Sequence, residues 1–339
     1  MNPNTSGRTR SRFASTLIAT LLTAVVLSAC NGGFGSSRDA NSSTYPNGPI
    51  TLIVPFATGG TSDSGGRQLA SALETEWKAT VTVENQPGGN TVPAVQNVME
   101  SRPDGSTILL DTQPSSSMLE AAVSNLPFDV TSRTFIATAG SSPMLFIVPA
   151  NSPIRTLQDA ADVMKNDPTG FTWTSYGGAG SQDYAFRKLF RDIGIDVNKT
   201  RAVTSQGGDS PVTAIAGGHV DFGVSSYSST KASLEAGLVR VLAVADDKRF
   251  FALPDVPTTG EAGYPDIKVI TWVGFSGPKD LPAAVVKKWD DGVQAVLRKP
   301  EVLDGLKKFG ITPFYMSSEQ MQAFVVKERD DVNALFSTA

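Results

Sequence analysis

The run PITLIVPF (residues 49–56) is β-branched and apolar and reads as a buried strand. Beyond it, Leu69, Leu73 and Trp77 recur every four residues with Ala70 beside them, which predicts a helix over 62–77 with one apolar face. Thr61, Ser62 and Asp63 are suitable N-cap residues for that helix. ATVTVEN (79–85) follows as a second strand. Strand, helix and strand within about 35 residues make a βαβ unit, so the sheet is at least partly parallel. The unit then recurs. VPAVQNVME predicts a helix and RPDGSTILLD a turn and a strand. MLFIVPA, GFTWTS, TRAVT, HVDFGV and LVRVLAVA read as further strands. TLQDAADVMKN, with Thr156 as its cap, DYAFRKLFRDIG and PVTAIAGG read as the helices among them. Pro211 opens the last of these, at the position where proline is favoured. From about residue 282 the chain reads as mostly helical. The unit repeats as a pattern, without a tandem repeat of sequence.

Five loops share one character: ATGGTSD (57–63), TQPSSS (112–117), YGGAGSQ (176–182), SQGGDS (205–210) and SSYSST (225–230). Each follows the carboxyl end of an expected strand and leads toward a helix, where ligands of open α/β sheets bind. Each is rich in glycine and hydroxyls, and none contains Lys or Arg. Unpaired N–H groups and the positive end of the helix dipole can hold an anion there without a cationic side chain. The plainer reading of any one loop is a tight turn with a cap; five of one kind favour a binding site.

The N-terminus has another pattern. Arg8, Arg10 and Arg12 precede an apolar run from Phe13 to Leu27, and LSAC ends at Cys30. Charged, apolar and small residues in that order make a signal peptide over 1–29, and LSAC resembles a bacterial lipobox that would lipidate Cys30. An ordinary signal peptide with an incidental cysteine is the alternative; the run is too short and threonine-rich to favour a membrane anchor. The Gly-, Ser- and Asn-rich residues 31–47 read as a flexible tether, bounded here at 30–45. Cys30 is the single cysteine, so no internal disulfide is expected.

Composition narrows the chemistry. The chain has 339 residues, room for two domains, with 29 Lys+Arg against 33 Asp+Glu. The net charge of −4, which becomes −7 without residues 1–29, gives no hint of nucleic acid. No Gly-Lys-Ser/Thr occurs, as a P-loop requires. GAGSQD (178–183) and GFGSSR (33–38) both fail the dinucleotide fingerprint, and G-x-S-x-G is absent. His219 is the only histidine, so a catalytic triad or histidine metal site would rest on it alone. Asp63, Asp183 and Asp209 read as helix caps rather than acid–base catalysts. No metal, cofactor or enzymatic activity is expected.

YPNGPITLIVPFATGGTSDSGGRQLASALE is similar to the opening of the tripartite tricarboxylate transporter receptors, the Bug family of extracytoplasmic solute receptors. VTVENQPGGN, RPDGSTILL, NLPFD, VPANSPIRTLQDAADVMKNDP, TSYGGAGSQDYAFRKLF, GGHVDFGV, GLVRVLAVADDKRFFALPDVPTTGEAGYP and WVGFSGPKDLPAAVV keep that family's order to the C-terminus. As an ordered set they are specific. The resemblance implies an α/β, two-lobed, periplasmic-binding-protein-like (type II) fold. Each lobe would be a mixed, mostly parallel sheet flanked by helices, with a two-strand hinge. It places lobe 1 at 46–149 plus 265–339 and lobe 2 at 150–264. It implies capture of a small carboxylate by hinge closure, delivery to integral-membrane transporter subunits, and contact with the membrane through the lipid at Cys30 alone. A monomer is expected.

Carried over by position, the first loop contributes Thr58, Gly59, Gly60, Thr61, Ser62 and Asp63, and the second Gly180, Ser181 and Gln182. Ser115, Gln206 and Ser225 are added from the other three loops. Many relatives have His after the glutamine, where this chain has Asp183; a loop that commonly reads Tyr-Lys-Gly is Ser205, Gln206, Gly207 here. Losing both cations makes the mouth more acidic. That favours a mono- or dicarboxylate, or an aromatic or amide with one carboxylate, over a tricarboxylate. Trp272 and Phe275 lie beyond the second expected crossing, where core packing is favoured over lining the cleft. Two other functions stay open: a sensor presenting its closed form to a signalling partner, and an envelope α/β hydrolase.

Overall fold

The computed structural model of the chain describes residues 45–177, 180–204 and 211–337. The export segment, Cys30, nearly all of the tether and Gln206 lie outside these residues. The opening run is β1 (Ile50–Val54), α1 (Thr61–Trp77), β2 (Val81–Asn85), α2 (Val92–Met99), β3 (Thr107–Thr112) and a single turn, α3 (Leu119–Ala122). As its spacing requires, α1 buries Leu69, Ala70 and Leu73. Trp77 ends the helix half-buried, edge-on to Trp289 at 4.9 Å.

β4 (Thr134–Pro149) is the longest strand at 16 residues. Only its second half, MLFIVPA, reads as an apolar run; TFIATAGSS before it is interrupted by Thr, Gly and Ser. Then come α4 (Leu157–Asn166), β5 (Thr172–Ser175), α5 (Ser181–Ile193), β6 (Arg201–Thr204), α6 (Pro211–Ala216), β7 (Gly223–Ser226), α7 (Tyr227–Glu235) and β8 (Val239–Val244). Thr156 caps α4 as its sequence predicts, accepting the Asp159 N–H at 3.0 Å. The chain ends through β9 (Ile270–Gly277), α8 (Ala283–Val296), α9 (Pro300–Lys308), β10 (Thr312–Met316) and α10 (Ser318–Ser337). β9 and β10 are absent from the sequence reading. ITWVGFSG is broken by glycine and serine, and TPFYM carries a proline, which an edge strand tolerates.

β4 organises both sheets. Its first half lies antiparallel to β9 and β10, in the order β2-β1-β3-β9-β4-β10, with β1 parallel to β2 and β3. Its second half, from Met144, pairs antiparallel with β7 and β8. β5 runs parallel to β6, and Trp173 bridges to Phe222 just before β7. The chain crosses between the sheets twice, in β4 near Ser142 and in the stretch before β9, where Met144 N donates to Val269 O at 3.0 Å.

Each side has its own core. Leu52, Leu110, Phe275, Trp289 and Val293 cluster on one; Phe146, Trp173, Phe186, Leu189 and Phe222 on the other. Burying each large apolar side chain contributes roughly 1.5–3 kcal/mol. α10 serves both sides. Met321 and Val325 pack with Phe135 and Trp272, whereas Val332 belongs to the second core and Phe336 stacks on Tyr184 at 6.5 Å.

Candidate functional site

Between the two cores lies a cavity of about 520 Å³. Gly60, Thr61 and Ser62 line it at the start of α1, and Gly180, Ser181 and Gln182 at the start of α5. In both helices the N-cap is a glycine in extended conformation: Gly60 at φ −75°, ψ 172° and Gly180 at φ −91°, ψ 168°. The cap of α1 is therefore one residue ahead of the Thr61–Asp63 candidates. The first intrahelical donors are Ser64 N, to Gly60 O at 2.9 Å, and Tyr184 N, to Gly180 O at 3.0 Å. The N–H groups of the three residues between are left for a ligand at both helix ends.

The two aspartates hold these ends rather than the ligand. Asp63 accepts from Gly59 N at 2.9 Å, Asn85 Nδ2 at 2.8 Å and Arg67 Nε at 3.0 Å. Burial pushes its pKa up, but donation by Gly59, Asn85 and Arg67, with the Arg67 charge, keeps it below the usual 3.8. Asp183 is buried and accepts from Tyr176 N at 3.1 Å, Gly180 N at 3.2 Å and the Ser175 hydroxyl. Its carboxylate thus closes the loop behind the helix, the capping role that the sequence suggests for it. An Asp at the third helical position can satisfy loop N–H groups that histidine could not accept from as an anion.

Other candidates fall outside the lining. Thr58 and Gly59 sit in the turn, where Gly59 has φ +90°, a conformation that requires glycine. Ser115 is buried, donating to Asp111 Oδ1 at 2.7 Å beside the buried Asp111–Arg133 ion pair. Ser225 is buried in β7; its neighbour Ser226 lines the cavity instead, because successive strand residues face opposite sides. Trp272 both packs and lines: it is buried against Phe324 yet borders the cavity. Phe275 is in the core, 4.8 Å from the Trp289 ring.

The structure adds residues the sequence did not single out. Ser181 Oγ donates to Gln113 Oε1 at 2.7 Å, and Gln113 Nε2 donates to Glu328 Oε1 at 2.5 Å. Ser117 Oγ and Trp272 Nε1 donate to Glu328 Oε2 at 2.5 and 3.0 Å. A carboxylate only accepts, so Glu328 fixes which end of the Gln113 amide meets Ser181. The Ser181 hydroxyl has then given away its one proton and offers the cavity only acceptor capacity. Burial raises the Glu328 pKa above the usual 4.5 despite its three donors. On the other side Thr61 Oγ1 meets Ser228 Oγ, and lies 3.4 Å from Ser226 Oγ. Gln113 and Glu328 are 215 positions apart and Thr61 and Ser226 are 165 apart, so no local pattern links them. A signal was present at the two helix starts: Gly-Thr-Ser-Asp and Gly-Ser-Gln-Asp both read glycine, hydroxyl, any residue, aspartate.

The β4 and β9 wall supplies Ser141, Ser142, Met144, Thr271 and Val273. The Ser142 hydroxyl is buried without a hydrogen-bond partner among the described residues. No described lining residue is Asp, Glu, Lys, Arg or His.

Residues 66–338 match the family model described as tripartite tricarboxylate transporter family receptor. A UPF0065 protein of Bordetella pertussis is 27% identical over 290 residues, 86% of this chain and 89% of that one. The solved periplasmic binding protein BugD is 26% identical, with a TM-score of 0.74, covering 87% of this chain and 98% of its own. A Rhodopseudomonas palustris protein solved with adipate is 24% identical, with a TM-score of 0.78 over 87% of this chain and 98% of that one. These solved structures share the two-lobed α/β architecture described above.

Proposed function

The chain belongs to the tripartite tricarboxylate transporter receptor family, and from that premise we propose that it captures a small carboxylate in the cavity between its lobes. The observation that carries this reading is the pair of glycine-capped helix ends, α1 and α5, lining one cavity with unspent N–H groups. Two such ends attract a single anion. Gly60, Thr61, Ser62, Gly180 and Gln182 are the proposed direct contacts, with Gln206 as a further one. Thr58, Gly59, Asp63, Ser115 and Ser225 act by shaping the loops that carry them. The lobes divide at the two crossings, near Ser142 and Val269, rather than at 149/150 and 264/265, because Met144–Pro149 pair with β7 and β8 and Ile267 and Val269 join the second core; the last turns of α10 pack on the second lobe.

Closure is a hinge motion at the two crossings, one of the standard domain movements. Delivery is to integral-membrane transporter subunits. The protein works outside the cytoplasm, held by lipid at Cys30, and acts as a monomer that binds without turnover. The periplasmic description of BugD supports the location.

Isothermal titration with a panel of small carboxylates, on full chain unfolded and refolded to strip prebound ligand, tests the capture step. Micromolar binding of at least one acid is expected; heats at the level of dilution for every acid would refute it. Radiolabelled palmitate should label the wild-type chain in cells and leave Cys30→Ser unlabelled. Loss of acid uptake on deletion, restored by the wild-type gene, tests delivery.

A further inference from the structure

The cavity's electrostatics narrow the ligand further than the word carboxylate does. None of the described lining residues carries an ionisable side chain of the Asp, Glu, Lys, Arg or His kind. The stretches 178–179 and 205–210, which follow β5 and β6, contain no Lys, Arg or His in their sequence. Positive potential therefore comes from helix ends. Each macrodipole end is equivalent to about half an elementary charge, so α1 and α5 together balance about one anionic charge. Two further ends are spent: at α2, whose cap Thr91 lines the cavity, Val92 N donates to Gly89 O and Pro93 has no N–H, and at α7 Ser226 Oγ accepts Ser229 N at 3.4 Å. The Ser226 and Ser228 hydroxyls are engaged with Thr61.

The remaining walls are of another kind. Phe56, Met144, Trp272, Val273 and Ile311 present apolar surface. A second carboxylate on that wall would have no opposite charge to meet, and a desolvated, unpaired ion is far costlier than an unpaired hydroxyl.

We infer that the site takes a monocarboxylate whose body is uncharged and chiefly apolar. Its single carboxylate sits at the N-termini of α1 and α5. This rests on the carboxylate-receptor reading above and specifies its substrate class.

Titration calorimetry on the purified, ligand-stripped full chain with matched acids tests it. The pairs are hexanoate against adipate and benzoate against terephthalate. Each monoacid is expected to bind at least tenfold more tightly than the diacid on the same skeleton. Ser141→Lys, which adds a cation to the same wall, should narrow or reverse the preference for the monoacid. Diacids binding as tightly as monoacids would overturn the single-charge inference and leave the carboxylate reading intact. Silence from every acid would refute the carboxylate reading and this inference with it.

Discussion

The starts of α1 and α5 are built to one plan and finished differently. Both have a glycine cap, a hydroxyl residue first, and an aspartate third whose carboxylate reaches back to loop N–H groups. In both, the first hydroxyl also reaches across the cavity: Thr61 to Ser226 and Ser228, Ser181 to Gln113. They differ in what backs the aspartate. Asp63 has a guanidinium, Arg67, whose side chain is 47% exposed. Asp183 has a buried hydroxyl and two backbone donors. They differ too in the partner of the crossing hydroxyl, half-buried serines on one side and a buried amide held by the half-buried Glu328 on the other. The same local grammar can thus be anchored by a solvated ion pair or by a dry network. The dry network has more to lose when a member is removed.

The largest expected effect separates the aspartates. Asp183→Ala should cost about 2–4 kcal/mol in denaturant unfolding, because it strands the buried Ser175 hydroxyl and two backbone donors of the loop. Asp63→Ala should cost about 1–2 kcal/mol, since Arg67 can hydrate. Equal midpoints would mean that the backing of the aspartate is irrelevant.

Next in size is a contrast within the first loop. At Gly60 an added Cβ meets nothing within 4 Å and φ is ordinary for any residue, so Gly60→Val should leave stability within about 1 kcal/mol. Because Gly60 lines the cavity, carboxylate affinity should fall at least tenfold in calorimetry. Gly59→Ala should do the reverse, costing roughly 1–3 kcal/mol of folding stability at its φ of +90°. Unchanged affinity in Gly60→Val would remove this helix end from the site.

The crossing hydroxyls come third. Ser181→Ala leaves the buried Gln113 carbonyl without its donor and should weaken binding about tenfold, near 1.4 kcal/mol. Thr61→Val frees serines that water can reach and should weaken it by no more than about threefold. A larger loss at Thr61 would invert the comparison.

The smallest effects are in pH dependence. The Asp63 pKa is below 3.8 in the folded chain, so its stabilisation is complete above that value and lost as pH falls below it. Glu328 has the opposite sign. Its folded pKa lies above 4.5, so the unfolded chain releases that proton first and stability declines as pH rises from about 4.5. Asp63→Asn should flatten the acid limb of a thermal-melt profile, and Glu328→Gln the decline above it. Profiles unchanged from wild type would refute both assignments.

The βα alternation, the apolar face of α1 and the cap at Thr156 were legible because each depends on neighbours within one turn or strand. β9 and the first half of β4 were not. Their glycines and serines obscure the apolar pattern, and these strands are set by mutual pairing, from Thr134 with Gly277 to Pro143 with Ile270. Asp183 was legible as a cap, but not which groups it holds. Its position after the glutamine is visible in the sequence, but the direction of its carboxylate depends on Tyr176 and Gly180 folding back over it.

By itself the sequence determined the lysine-free loops, the alternating elements, the family and the scarcity of cations near the site. These are properties of residue type and local spacing. Tertiary structure decided which loops meet, that Asp63 and Asp183 face inward, and that Ser181 spends its proton on Gln113. It also left the Ser142 hydroxyl buried without a partner among the described residues. Each of these depends on groups far apart in the chain, brought together by a strand shared between two sheets and a C-terminal helix shared between two cores.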